Sequence, residues 1–146
     1  MSFDRNLRQF QKAYQDDALS TRVLGANPVE IIVLLYEGAI EALERASIAI
    51  EQSDFQQKSL MINKTLDIIE GLRQSLNFDK GGEISVNLDS LYDFMKRHLV
   101  SSSDAEEQVK AISDVSALLK DLLEAWKIVA RDIQAKAKMS TSNFSA

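Results

Sequence analysis

The chain contains no cysteine. Disulfides, thiolate metal sites and cysteine nucleophiles are therefore excluded. Proline occurs once, at Pro28, and glycine only five times in 146 residues. Gly and Pro are the main interrupters of regular structure, so their scarcity favours long helices. No run of alternating β-branched residues argues for strands. Long apolar runs are also missing. The longest, Ile31 to Tyr36, falls far short of the about 20 residues a spanning helix needs. No stable membrane insertion is expected. The polar start, Met1-Ser2-Phe3-Asp4-Arg5-Asn6, lacks the apolar region of a signal peptide, so a cytoplasmic location is expected. A basic excess is missing as well. With a net charge of −5, the chain lacks the footprint of a nucleic-acid binder, and no nucleic-acid partner is expected.

The apolar share is normal. Hydrophobic residues make up 45% of the chain, close to the globular average of about 45–50% and too many for a disordered chain. The length predicts one domain. A folded chain of this size buries roughly 68–70% of its unfolded surface, enough for a core without staples.

The first long helix is predicted to start at Asn27-Pro28. Asn caps the free N–H groups, and Pro in the first turn loses no needed donor. Ile32, Leu35, Ala39, Ala42, Ala46 and Ala49 then recur at spacings of three and four, a helix seam. Four of these six are alanines, which lets a partner helix approach closely. Ile31, Tyr36, Ile40, Leu43 and Ile50 widen the stripe to that of a bundle interior. Ser53 or Asp54, with Gln56 or Gln57 three residues on, offers a capping box for a second helix. Its stripe is Phe55, Ile62, Ile69, Leu72 and Leu76, and it should stop before Asp79-Lys80-Gly81-Gly82.

A third helix is predicted from about Ser85 to Val100, with Leu88, Leu91, Tyr92, Met95 and Leu99 inside. Ser103 and Glu106 form the capping box of a fourth. That helix carries Val109, Ile112, Ser116, Leu119, Leu122, Trp126, Val129 and Ile133 at helical spacing. Acidic residues at its start and basic ones near its end complement the helix dipole. Short loops imply antiparallel neighbours. The expected fold is all-α: an antiparallel four-helix bundle over 27–138, a short helical N-terminal cap segment over 1–26, and a disordered tail over 139–146. Within the cap, Phe3, Leu7, Phe10 and Tyr14 form a short amphipathic stripe.

Chemistry is sparse. His98 raises the question of a histidine phosphotransfer domain. Such a domain wants an exposed imidazole with a basic residue a turn later, but Leu99, Val100 and three serines follow. A helix C-terminus favours an imidazolium without any catalytic role. A di-iron bundle needs Glu-x-x-His twice. Here Met95 stands three residues before the sole histidine. Glu37, Glu41 and Glu44 read as a solvated face, with Arg45 paired to Glu41. No catalytic, metal or cofactor site is expected, and the chain does not read as an enzyme.

One ordered set of residues is specific. Tyr14-Gln15 is followed by Asn27-Pro28, then by Leu34-Leu35-Tyr36-Glu37-Gly38-Ala39-Ile40. Gly81-Gly82-Glu83, Asn87-Leu88, Leu91-Tyr92-Asp93-Phe94-Met95 and Trp126 complete it. In order and spacing this set resembles the FliS family of flagellin-export chaperones, from about Tyr14 to about Ala130. Family members often read Thr/Ser-Ala-Ser-Pro before the first helix, where this chain has Gly25-Ala26-Asn27-Pro28; Asn caps as well as Ser.

The resemblance implies an export chaperone of the type III flagellar system. It would bind the disordered C-terminal segment of flagellin, prevent premature polymerisation, and help present its guest to the flagellar export gate. Homodimerisation stays open. A bundle groove suits an amphipathic guest segment. The matched motif positions put the flagellin-binding surface on Tyr14, Ile31, Leu34, Tyr36, Asn87, Leu91 and Tyr92. Tyr36 is expected at a groove edge, offering ring and hydroxyl. Asn87 is expected to pair with guest backbone. Whether the N-terminal stripe competes with the guest for one apolar surface or forms a permanent structural cap stays open. The alternatives are a phosphotransfer domain acting through His98 and a generic helical scaffold.

Overall fold

Helix α1, Pro28–Glu51, starts as expected. The Asn27 side chain accepts from the Glu30 N–H at 2.9 Å, and the Glu30 carboxylate accepts from the Asn27 amide at 2.9 Å. Its end is a Schellman closure: the Asp54 N–H reaches the Ala49 carbonyl at 2.8 Å and the Ser53 N–H the Ile50 carbonyl at 3.1 Å. Ser53 takes the left-handed conformation this motif needs, with φ 56°. Asp54 therefore caps α2, Phe55–Gln74, by accepting from the Gln57 N–H at 3.1 Å. The structure is a computed structural model of the chain and describes residues 27–101 and 104–145. The cap segment 1–26, with its Phe3–Tyr14 stripe, lies outside the described residues, as does Ser103.

Helix α3 starts earlier than the sequence suggests. It runs Phe78–Val100, with Asn77 accepting from the Lys80 N–H at 3.0 Å. The Gly81-Gly82 pair does not form an open loop. It makes a kink inside the helix, at Gly82, whose φ of 50° and ψ of −123° only glycine adopts readily. Gly81 packs against Ser85, whose hydroxyl donates to the Asn77 carbonyl at 2.9 Å. That bond ties the lead-in turn to the helix proper.

Helix α4 spans Ala105–Ser145, and Asp104 accepts from the Glu107 N–H at 2.8 Å. It does not stop at Met139 but continues helical to Ser145, and residues 131–139 are all exposed. That stretch is an overhang of the bundle.

The four helices form the antiparallel bundle, and no strand occurs among the described residues. Helix α1 lies between α2 and α4 and packs closely on both; α3 meets the same two helices with far fewer close backbone approaches. The reason is side-chain size. Buried Gly38, Ala39, Ala42, Ala46 and Ala49 let neighbouring backbones close on α1. Helix α3 instead buries Tyr92, Met95 and Leu99, which hold the backbones apart. The shared core also takes Leu35, Leu43, Ile68, Ile69, Leu72, Ile112, Val115 and Leu119. Phe55, expected inside, is 59% exposed, because α2's packed face begins only further along the helix.

Candidate functional site

The motif residues divide between the interior and the rim. Ile31, Leu34, Tyr36 and Tyr92 are buried, Leu91 is half-buried, and Asn87 is exposed. Tyr14 lies outside the described residues. Tyr36 is not at a groove edge: it has 0% exposure, and Tyr92 has 1%.

The physical reason is a polar pair across the bundle. The two hydroxyls hydrogen-bond, with ring centroids 6.5 Å apart in a T-shaped arrangement at 60°. The Trp126 indole N–H is a further donor to the Tyr36 oxygen. One network thus joins α1, α3 and α4. Burial pushes both phenols above their ordinary range. They stay neutral and serve as a satisfied floor beneath the surface.

Above this floor the packing is incomplete. Leu88 and Leu91 of α3, and Leu122 and Trp126 of α4, cover the core but stay half-exposed. The α4 stripe then continues to Val129 at 40% exposure and Ile133 at 41%. The sequence reading places these last two inside. Both precede Gln134 and so still lie alongside the first turns of α1, exposed at the bundle surface. Helix α1 has 24 residues and α4 has 41, or about 36 Å against about 61 Å. The Gln134 amide donates to the Glu30 carboxylate at 2.9 Å, which pins α4 beside the first turn of α1. Beyond that point α4 runs on without α1 beside it.

Asn87 stands on α3, exposed between Val86 at 53% and half-buried Leu88. Its amide makes no side-chain hydrogen bond among the described residues, so both donor and acceptor are free for a peptide backbone. The rim therefore offers half-covered aliphatic and indole surface together with a free carboxamide, which suits an amphipathic chain segment.

Ion pairs close the other side of α3. Arg73 of α2 pairs with Asp89 at 2.6 Å and with Asp93 at 3.4 Å, and Lys96 pairs with Glu70. The Asp89 hydrogen bond is the main reason the Arg73 guanidinium is held above its usual range. Burial works to raise Glu70, but the Lys96 ammonium outweighs it, and the carboxyl lies below its ordinary value.

His98 is engaged. Its Nε2 lies 3.0 Å from the Asp114 carboxylate, and its ring stacks on Phe94 at 5.1 Å. The Glu41–Arg45 pair forms as expected, at 2.8 Å. No cluster able to hold a metal ion occurs among the described residues, and none of their helices is long and apolar enough to cross a membrane.

Comparison with known proteins agrees with the motif order. The profile of the flagellar protein FliS matches residues 10–133. The flagellar secretion chaperone FliS of Salmonella typhimurium is 39% identical over 117 residues, covering 80% of this chain and 86% of that one. The flagellar secretion chaperone FliSB of Pseudomonas aeruginosa is 36% identical over 115 residues, covering 79% and 90%. FliS of Bacillus subtilis is 30% identical over 115 residues, covering 79% and 81%. A bundle with a Tyr36–Tyr92 floor, a half-covered α4 stripe and this breadth of sequence identity leads to one assignment: the chain belongs to the FliS family of flagellar proteins.

Proposed function

We propose that this chain is a cytoplasmic export chaperone that binds the disordered C-terminal segment of flagellin, prevents its premature polymerisation and delivers it to the flagellar type III export gate. The observation that carries the reading is the α4 stripe of half-buried Leu122 and Trp126 and exposed Val129 and Ile133, together with half-buried Leu91 and exposed Asn87 on α3, in a member of the FliS family. Ordering a flexible segment costs about 2–5 kcal/mol or more, so its site must be long and apolar. The half-covered apolar residues of α3 and α4 supply such a surface. In this reading Leu91 and Asn87 touch the guest. Ile31, Leu34, Tyr36 and Tyr92 support the surface from beneath. Tyr14 belongs to the N-terminal segment that competes for it.

Calorimetric titration with the C-terminal segment of the same organism's flagellin tests the reading. One-to-one binding with a negative heat-capacity change is expected. Absence of binding at about 100 μM, where a micromolar Kd registers, would overturn it. Val129→Ser and Asn87→Ala should weaken binding with little change in melting, since Val129 is 40% exposed and Asn87 is exposed. Deleting residues 1–13 should tighten binding; weaker binding with lower stability would make the segment a permanent cap.

A further inference from the structure

The opposite end of the bundle carries a separate cavity. It holds about 280 Å³ and is lined by Ile50 of α1, Ile62 and Leu66 of α2, Leu99 and Val100 of α3, and Ile112 of α4. Asn87 lies twelve residues before Leu99 on α3, which places it about 18 Å up the same helix. The volume is just under the about 300–1,000 Å³ of sites for drug-sized ligands, so it suits one side chain rather than a cofactor.

The mouth is polar and incompletely satisfied. Lys58, Ser59, Asn63 and Gln108 line it. The Lys58 ammonium donates to the Gln108 amide oxygen at a long 3.4 Å and lies 5.9 Å from the centre of the Phe55 ring. It has no carboxylate partner among the described residues. The acidic caps at this end, Asp54 and Asp104, are turned onto the N–H groups of Gln57 and Glu107. The side chains of Ser59 and Asn63 make no hydrogen bond among the described residues. An ammonium without a carboxylate partner among the described residues, two carboxamides and a hydroxyl thus ring an aliphatic hole.

We propose that this cavity is an anchor pocket for the C-terminal residue of a partner chain, taking a branched aliphatic side chain inside and its free carboxylate at the Lys58 rim. A terminal residue is the smallest group that brings an aliphatic side chain, a peptide N–H and a carboxylate together. The side chain replaces water against Ile62, Leu66, Leu99 and Ile112. The carboxylate supplies the charge that Lys58 lacks. The peptide N–H and carbonyl meet Asn63 and Gln108, whose amides each donate and accept. The pocket stands on its own residues, about 18 Å from Asn87 along α3.

The full-length protein, isotope-labelled, would be titrated with N-acetyl-leucine and, separately, with its neutral counterpart N-acetyl-leucinamide, followed by amide NMR shifts. Saturable shifts centred on Ile62, Asn63, Leu66, Leu99 and Ile112, at about millimolar strength for so small a ligand, are expected. Lys58→Gln should weaken N-acetyl-leucine about two- to fivefold and leave the amide unaffected. Asn63→Phe, which fills the mouth from an exposed position, should abolish both while melting as the parent does. Equal affinity for acid and amide, unchanged binding in Asn63→Phe, or scattered unsaturable shifts would each overturn the proposal.

Discussion

Helix α1 and helix α3 occupy opposite corners of one bundle and are held by different forces. Around α1 the contacts are between backbones brought close by small residues, and apart from Tyr36 the large buried side chains are aliphatic. Around α3 the backbones stand apart. Large side chains fill part of the space, a tyrosine pair crosses it, and ion pairs with α2 close its outer edge. Close apolar packing is stable but leaves nothing exposed to offer a guest. A looser seam gives up some stability and leaves half-covered leucines, an indole and a free amide at its rim. The proposed chaperone surface falls on the loose side for that reason.

The sharpest way to break this contrast is to make equal truncations on the two sides. Leu43 is fully buried on α1, whereas Leu88 on α3 is half-exposed. Leu43→Ala should cost about 2–5 kcal/mol, as a core cavity that cannot relax. Leu88→Ala should cost less than half as much, because water already reaches the site. Urea unfolding of both variants measures the difference, and equal losses would mean α3 is packed as tightly as α1.

The tyrosine network comes next. Tyr36 meets both Tyr92 and Trp126, while Tyr92 meets only Tyr36. Tyr36→Phe strands two donors and Tyr92→Phe leaves one hydroxyl alone. Each should cost about 1–3 kcal/mol, with Tyr36→Phe the larger, and the double variant should cost less than their sum. Strict additivity would show that the hydroxyls act independently. Trp126 is the only tryptophan, so its fluorescence should shift in Tyr36→Phe more than in Tyr92→Phe.

Much of the α1 side was legible in the sequence, and less of the α3 side was. Asn27, Pro28 and the alanine seam act through local spacing, which a sequence displays directly. The Tyr36–Tyr92 bond joins residues 56 apart, and nothing local to Tyr36 distinguishes a rim tyrosine from a buried one. Periodicity grouped Val129 and Ile133 with the α4 stripe but could not say how much of that stripe the neighbouring helices cover. Gly81-Gly82 read as a loop because glycine favours turns. Here the Asn77 cap and the Ser85 hydroxyl hold the same residues in a kinked helix. His98 showed its helix but not Asp114, its partner across the seam. The family assignment was legible because it rests on the order of motifs, whereas the solvent exposure of each motif residue depends on tertiary packing.

That kink is a third place to test the loose side. A Cβ on Gly81 would lie 2.0 Å from the Ser85 hydroxyl oxygen. Gly81→Ala must therefore rotate Ser85 away and lose its bond to Asn77, at about 1 kcal/mol. Adding Ser85→Ala removes the 2.0 Å overlap and leaves only a tight 3.1 Å contact with the Cβ of residue 85, so the double variant should be close in stability to Ser85→Ala alone. A double variant that falls further would place the strain in the backbone.

The smallest effect should come from the ion pairs, and its sign is set by Glu70. Burial raises the affinity of this carboxyl for a proton, but the hydrogen bond and charge of Lys96 outweigh it. Its pKa in the folded state therefore lies below the ordinary 4.5. A carboxyl depressed on folding contributes stability that is fully present above its unfolded pKa and is lost as pH falls through the folded value. Both side chains are about one-third exposed, at 30% and 32%, so solvent screening limits the pair to about 0.2–1 kcal/mol. Glu70→Gln should therefore lower the melting temperature slightly at pH 7. The gap from the parent should close as both are titrated below about pH 4, where the parent's carboxyl takes up its proton. High salt at pH 7 should narrow the same gap. If the gap persists in acid, Glu70 contributes through its packed methylenes, and the α2–α3 edge is held by apolar contact as the α1 side is.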